Sequence, residues 1–263
     1  MEESQPIRPA LDDEGLAHAW LEQRRELRLL AEREPRPYVG FDSHQLAGES
    51  TGGLWDFAFR TELRDLVRQL INSLNEWRYI LARLQAWEIV LERHDDRARI
   101  QLLLEFVHPL AENQLNMPYR IKQAMIFTAY RALDHLHRSE APLNEEKINF
   151  KALNRRAAGR YSAEALMTAL GELDSEALRK ATANFRHRHH HGFPPDIEVG
   201  VLPTVRRLVR EDGIGFGFGW LEPLTLRVIL PEHEAELRRA VAAFEQLWAL
   251  VRELDGELHK QGE

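Results

Sequence analysis

The sequence of 263 residues contains no cysteine and no long uninterrupted apolar segment. Without cysteine the chain has no disulfide framework, no iron–sulfur cluster, no cysteine-based zinc finger and no cysteine nucleophile. None of its apolar runs approaches the ~20 residues with which a helix spans a bilayer. Residues 1–15 are acidic and polar, unlike a secretory signal peptide. The sequence therefore predicts a soluble cytoplasmic protein that does not insert into a membrane.

The segment from Leu54 to His94 lacks glycine and proline, the two residues least favourable inside a helix. Leucine and tryptophan recur in it every three or four positions, which is the spacing of one helix face. This pattern predicts one long helix with a buried stripe. The stripe consists of Leu63, Leu66, Leu70, Leu74, Trp77, Leu81, Leu84 and Trp87.

The same periodicity predicts several further helices. Pro118 and Pro231 are expected to open two of them, because the first turn of a helix does not need the missing N–H. Asp174 is expected to cap a helix that runs through Phe185 to the histidines and ends at Gly192. The apolar face of the first helix is predicted to consist of Leu16, Trp20, Leu27 and Leu30. The predicted helices lie at about 12–33, 97–115, 118–138, 145–157, 162–170, 174–191 and 231–260.

A single region has the alternation of β-strands. Residues 204–210, 214–220 and 224–229 are separated by turn-forming residues, among them the Asp212-Gly213 pair. They predict a small antiparallel β meander near the C-terminus, followed by a final helix.

The fold class predicted from these patterns is mainly α, a helical bundle with a small C-terminal sheet. We expect an N-terminal helix and loop at 1–53. A helical domain at 54–263 would carry the meander at about 204–229.

Charge is unevenly distributed in this acidic chain, whose formal net charge is −7. Residues 1–34 and 231–263 each carry a net −4, whereas residues 179–210 hold seven basic and two acidic residues, a net +5. We call residues 179–210 the basic island. The overall acidity argues against a surface that binds nucleic acid generally, and it directs attention to this island.

Four of the twelve histidines lie within residues 187–191, inside the basic island. The segment reads Phe-Arg-His-Arg-His-His-His-Gly from Phe185 to Gly192, and it is internal, unlike an expression tag. It is the strongest candidate site in the sequence.

This segment resembles the motif of the HEPN superfamily, which has an arginine, a polar residue and then a histidine after four to six intervening residues. Arg186, His187 and His191 match its shortest form. The following Pro194-Pro195 and the Glu-Val-Gly of 198–200 are similar to the bacterial Cthe_2314-like HEPN family. The resemblance rests on about 20 residues together with the helical content of about 54–260.

The resemblance implies a helical bundle that dimerises and brings two motifs together. Many members of the superfamily are ribonucleases, often toxins, that need neither metal nor cofactor, and others have lost activity and bind partners. It therefore implies an endoribonuclease with Arg186, His191 and His187 as catalytic residues, Arg188 and Arg179 as RNA phosphate contacts, and an antitoxin-like protein as a further partner.

The residues themselves agree in part with this chemistry. Histidine titrates near neutral pH and serves as acid or base, and arginine offers a fixed fork to phosphate. However, Arg186 and His191 lie ~140° apart on an ideal helix, whereas Arg186 and His190 lie ~40° apart. Either the helix unwinds near His190, or Arg186 and His191 meet across a dimer, or His190 is the working histidine.

Three other interpretations of the cluster stay open. Cations in the last turn of a helix complement its dipole without any ligand. His187 and His191, at positions i and i+4, face together as helical metal ligands do. The segment is also compatible with a non-catalytic dimeric module that binds nucleotide, RNA or a protein.

Overall fold

The computed structural model describes residues 10–34, 38–40, 53–136, 143–192, 194–200, 202–210 and 213–262. Helices predominate in these residues, so the predicted mainly α fold is confirmed. None of the helices found there is long and apolar enough to cross a membrane. The helices are α1 (Asp13–Arg33), α2 (Gly53–Leu91), α3 (Asp96–Leu102), α4 (His108–Asp134), α5 (Phe150–Arg156), α6 (Tyr161–Glu172), α7 (Glu176–Ala181), α8 (Phe185–His190) and α9 (Leu226–Gly262).

The long predicted helix is α2, and its stripe is buried as expected. Apart from the half-buried Leu66, every member of the stripe is at most 2% exposed. Trp77 and Trp87 are both fully buried, and Trp87 stacks on Phe106 with ring centroids 4.9 Å apart. The two tryptophans are therefore core residues.

The apolar face predicted for α1 is wrong in part. Trp20 is 42% exposed and lies under the guanidinium of Arg24, whereas Ala19 and Gln23 are buried. The side chain of Gln23 donates to the main-chain oxygen of Arg83, so a polar residue occupies the buried face of this helix. The other three predicted residues, Leu16, Leu27 and Leu30, are half-buried.

Both prolines that were expected to open a helix lie inside one. Pro118 is inside α4, and a π-helical turn at Leu103–Val107 joins α3 to α4. Pro231 is inside α9, which begins five residues earlier at Leu226. Proline inside a helix removes one hydrogen bond to the carbonyl four residues before it. The long helices tolerate this loss because their other turns remain bonded.

The β region is a two-stranded hairpin. Strand β1 (Leu202–Arg210) pairs antiparallel with β2 (Gly213–Leu221), and the register places Leu202 opposite Leu221. The prediction of a third strand at 224–229 is wrong. Leu224 forms one isolated parallel bridge with Ile197, and the residues after Thr225 already belong to α9. The N–H of Leu226 donates a hydrogen bond to the carboxylate of Glu198. This contact caps the start of α9.

The helix predicted to run from Asp174 to the histidines is divided. It ends at Ala181, and α8 begins at Phe185. Between them Ala183 and Asn184 have left-handed backbones, with φ of 49° and 54°. The N–H of Asn184 donates to the carbonyl of Arg179, so the chain closes α7 before α8 starts.

The described residues divide into two compact units. Unit 1 consists of the described residues within 1–36, 79–115 and 177–233. Unit 2 consists of those within 37–78, 116–176 and 234–263. The boundary predicted at residue 53 stays a prediction. Within unit 1, α1 is bonded to α2 through Arg24 and Tyr79, and to the turn that follows α2 through Glu26 and Arg93.

Candidate functional site

The histidine cluster lies on and just after α8, in unit 1. This six-residue helix is bounded by left-handed Asn184 on one side and by left-handed Gly192, with φ of 78°, on the other. Asparagine and glycine adopt this conformation most readily, whereas for Ala183 it costs ~1–2 kcal/mol. Backbone strain of this kind persists where the surroundings enforce it, and it is concentrated at functional sites.

Phe185 anchors α8, because its side chain is 1% exposed. The ring of His189, one turn later, stacks on the Phe185 ring with a centroid distance of 5.5 Å and an interplanar angle of 27°. His189 therefore lies back against the anchoring side of the helix. Its side chain is exposed like those of the other three histidines, but its ring is paired with that of Phe185.

His187 and His191 form an exposed pair on another side of α8. Their ring centroids are 4.5 Å apart, with an interplanar angle of 67°. The ring of His190, also exposed, lies 5.5 Å from that of His191. The structure thus brings three of the four clustered histidines together.

The backbone explains this pairing. The N–H of His191 donates to the carbonyls of His187 and Arg188 at 3.2 and 3.1 Å, so His191 is the C-cap that closes α8 before left-handed Gly192. The unwinding near His190 that would turn His191 towards Arg186 does not occur. Arg186 and His191 lie ~140° apart on an ideal helix, and the contact of His191 with His187 leaves Arg186 on a different side within one chain.

The arginines of the site lie at different angles around the helix. Arg186 and Arg188 are half-buried, and Arg179 on α7 is exposed. On an α-helix Arg188 lies ~60° from His191, closer than Arg186. Arg188 is therefore the arginine of α8 that shares a side with His191 in a single chain.

The residues described contain no group of three or more histidine, aspartate or glutamate side chains placed to hold a metal ion. No protein family, curated protein or solved structure matches the chain. The similarity to the HEPN superfamily and the roles it implies therefore stay predictions.

Sequence reasoning missed an ion-pair cluster in unit 2. Glu62 on α2 accepts from Nε of Arg131 on α4 at 2.5 Å, and its Oε2 lies 2.9 Å from Nε2 of His135, the residue that follows α4. The ring of Phe59 packs edge-on against His135. Burial raises the pKa of Glu62, but the hydrogen bonds from Arg131 and His135 outweigh it and lower that pKa overall. The i, i+4 spacing of Arg131 and His135 was visible in the sequence, whereas the distant Glu62 was not.

Changing Glu62 to Gln is expected to lower the free energy of unfolding by about 1 kcal/mol. Hydrogen bonds to charged groups contribute about 1.5–3 kcal/mol, and partial exposure of this cluster reduces that value. Asp65→Asn is the matched control on the same helix, because Asp65 and Arg68 form an exposed pair. We expect the control to change stability by less than about 0.5 kcal/mol in urea unfolding. Equal losses in the two variants would contradict a structural role of the Glu62 cluster.

A groove between α2 and α4 continues from this cluster within unit 2. Its volume is about 650 Å³, and Leu66, Gln69, Tyr119, Gln123 and Phe127 are among its lining residues. The Glu62 cluster lies one helical turn beyond Leu66 and Phe127, at one end of the groove. The groove is part of a different unit from the histidine cluster.

Glu198 is a second strained residue of unit 1, with φ of 65°. Its carboxylate caps Leu226 and accepts from Arg99 at 3.0 Å. The pKa of Glu88 is raised by burial and by the negative charges of Glu92 and Glu198. Through its contacts with Leu226 and Arg99, Glu198 fixes the start of α9.

Proposed function

We propose that the protein is an endoribonuclease that cleaves RNA at the exposed end of α8 without a metal ion, through attack of the 2′-hydroxyl on the phosphate. The observation that carries this proposal is the exposed pair of imidazoles, His187 and His191, on a short strained helix with two arginines. Two neighbouring imidazoles supply both the acid and the base that this reaction needs.

In the proposed reaction the 2′-oxygen forms a bond to phosphorus as the bond to the 5′-oxygen breaks. An imidazole accepts the 2′-hydroxyl proton, and an acid gives a proton to the leaving 5′-oxygen. We assign the acid–base role to His191, which accepts the 2′-hydroxyl proton, and the supporting role to His187, whose ring contacts it and which in its protonated form gives a proton to the leaving 5′-oxygen. The products are a 2′,3′-cyclic phosphate and a 5′-hydroxyl.

Arginine would stabilise the negative charge that develops on the phosphate. In a single chain Arg188 is placed for this role, whereas Arg186 would meet His191 only if two chains faced each other. The homodimer implied by the HEPN resemblance would provide that arrangement. Static light scattering tests it, since a monomer mass at every working concentration would exclude a site shared between chains.

The decisive experiment incubates untagged protein with total RNA in EDTA. Wild-type protein should release fragments with 2′,3′-cyclic phosphate ends, and the Arg186→Ala/His191→Ala double variant should not. A preparation of the double variant made in parallel is the control for contaminating nucleases. Equal cleavage by both proteins would show that the activity does not belong to α8.

A second candidate function is a non-catalytic dimeric module that binds nucleotide, RNA or a protein partner such as an antitoxin. It is favoured by the exposure of His187, His189, His190 and His191, because active sites are usually concave. RNA that binds to wild-type protein but stays intact, with binding weakened by Arg188→Ala, would support the module over the ribonuclease.

A further inference from the structure

His187 and His191 have the i, i+4 spacing at which two histidines of a helix can bind one metal ion. They are one helical turn apart, both are exposed, and their ring centroids are 4.5 Å apart. His189 has the same chemistry on the same helix, but its ring stacks on the buried Phe185. The helix therefore contains one exposed pair of histidines whose rings contact each other, and a neighbouring exposed histidine whose ring contacts Phe185 instead.

Neutral imidazole nitrogen is a preferred ligand of zinc and of other divalent first-row transition metals. The end of α8 adds to this preference, because the last carbonyls of a helix carry partial negative charge and favour a cation. The nearby Arg186 and Arg188 act against it. The described residues contain no group of three or more such ligands, so a chelate of these two histidines leaves the other positions of the metal for water.

We propose that His187 and His191 together bind one divalent transition-metal ion, and that the bound ion inhibits RNA cleavage. A metal on the imidazole nitrogen of His191 occupies the lone pair that would accept a proton. The metal is thus a competitor of the reaction and has no part in it. The inhibitory half of this inference rests on the proposed function, whereas the binding half does not.

Isothermal titration of ZnCl2 into untagged protein tests the binding half. Wild-type protein should bind one zinc ion per chain at this site. His187→Ala and His191→Ala should each weaken zinc binding by about 10- to 100-fold. Mutation of a residue that only supports a metal ligand already causes a loss of this size, so removal of a ligand should cost at least as much. All the side chains that are changed are exposed, and circular dichroism checks that each variant is folded.

His189→Ala is the matched control and should change zinc affinity by less than about twofold, well below the tenfold step that corresponds to 1.4 kcal/mol. An equal loss in His189→Ala would show that zinc binds the histidine-rich segment without using the pair. If titration of zinc into wild-type protein gives no heat of binding, the proposed metal site is wrong.

Cleavage assays with and without ZnCl2 test the inhibitory half. Zinc at a concentration that saturates the calorimetric site should stop cleavage by wild-type protein, and EDTA should restore it. Zinc binding with undiminished cleavage would overturn inhibition alone. If no condition gives cleavage, including EDTA, the proposed function fails while the calorimetric result still decides the metal site.

Discussion

His191→Ala is expected to lower the rate of RNA cleavage by about 10²- to 10⁴-fold, the usual effect of removing an acid–base group. His191 is the histidine whose ring contacts two others, those of His187 and His190. Its side chain is exposed, so its removal should leave the fold intact. The rate is measured in EDTA with a fluorescent RNA substrate.

His190→Ala and His189→Ala are the comparisons that identify the working histidine. On an ideal helix His190 is the residue that shares a side with Arg186. Loss of activity in His190→Ala, with activity kept in His191→Ala, would assign the acid–base role to His190. His189→Ala should stay near the wild-type rate because its ring is turned towards Phe185.

Two conservative arginine variants separate a single-chain site from a shared one. Lysine keeps the charge of arginine but loses the two-pronged contact with phosphate. A larger loss in Arg188→Lys would favour the single-chain arrangement, and a larger loss in Arg186→Lys would favour two chains facing each other. Full activity in both arginine variants and in all the single histidine variants would place the activity elsewhere.

Acidification is expected to unfold the protein partly through His233. This residue of α9 is fully buried, and burial lowers its pKa to about 3. Between pH 6.5 and pH 3 the unfolded chain binds a proton at His233 that the folded chain does not. The stabilising contribution is therefore complete above pH 6.5 and is lost progressively as the pH falls. From pH 7 to pH 4.5 the loss should be about 2–3 kcal/mol.

His233→Leu separates this effect from the titration of the acidic residues. We expect the free energy of unfolding in urea to fall between pH 7 and pH 4.5 by about 2–3 kcal/mol less in the variant than in wild-type protein. The two proteins share every other titrating group, so the difference reports His233 alone. Parallel pH dependences would contradict the buried neutral histidine.

Much of the fold was predictable because α2 has a long, regular stripe. When eight large apolar residues recur at helical spacing without glycine or proline, burial of that stripe outweighs local preferences. The two prolines were misleading, since a first-turn position is only the commonest place for proline in a helix. The third strand was wrong because Leu224–Ile229 is apolar enough for either strand or helix, and the capping carboxylate of Glu198 comes from a distant position.

The candidate site was predictable to the extent that it is local. The spacing of His187 and His191 already indicated a shared helix face, and the structure places their rings together. The break at Ala183 and Asn184 was not predictable, because neither residue excludes helix. Glu62 was missed for another reason, since its partners Arg131 and His135 are about 70 positions away in sequence.

The interleaving of the two units has a consequence for how the chain can be shortened. Each unit is assembled from three separate stretches, and α2, α4 and α9 each contribute residues to both. A cut at any position between residues 37 and 233 therefore leaves both units incomplete. A fragment that ends after the histidine cluster lacks the 234–263 stretch of unit 2, and one that starts at residue 79 lacks α1. Proteolysis is accordingly expected to yield no stable half. Folding needs the whole chain, because stretches distant in sequence must meet before either unit forms.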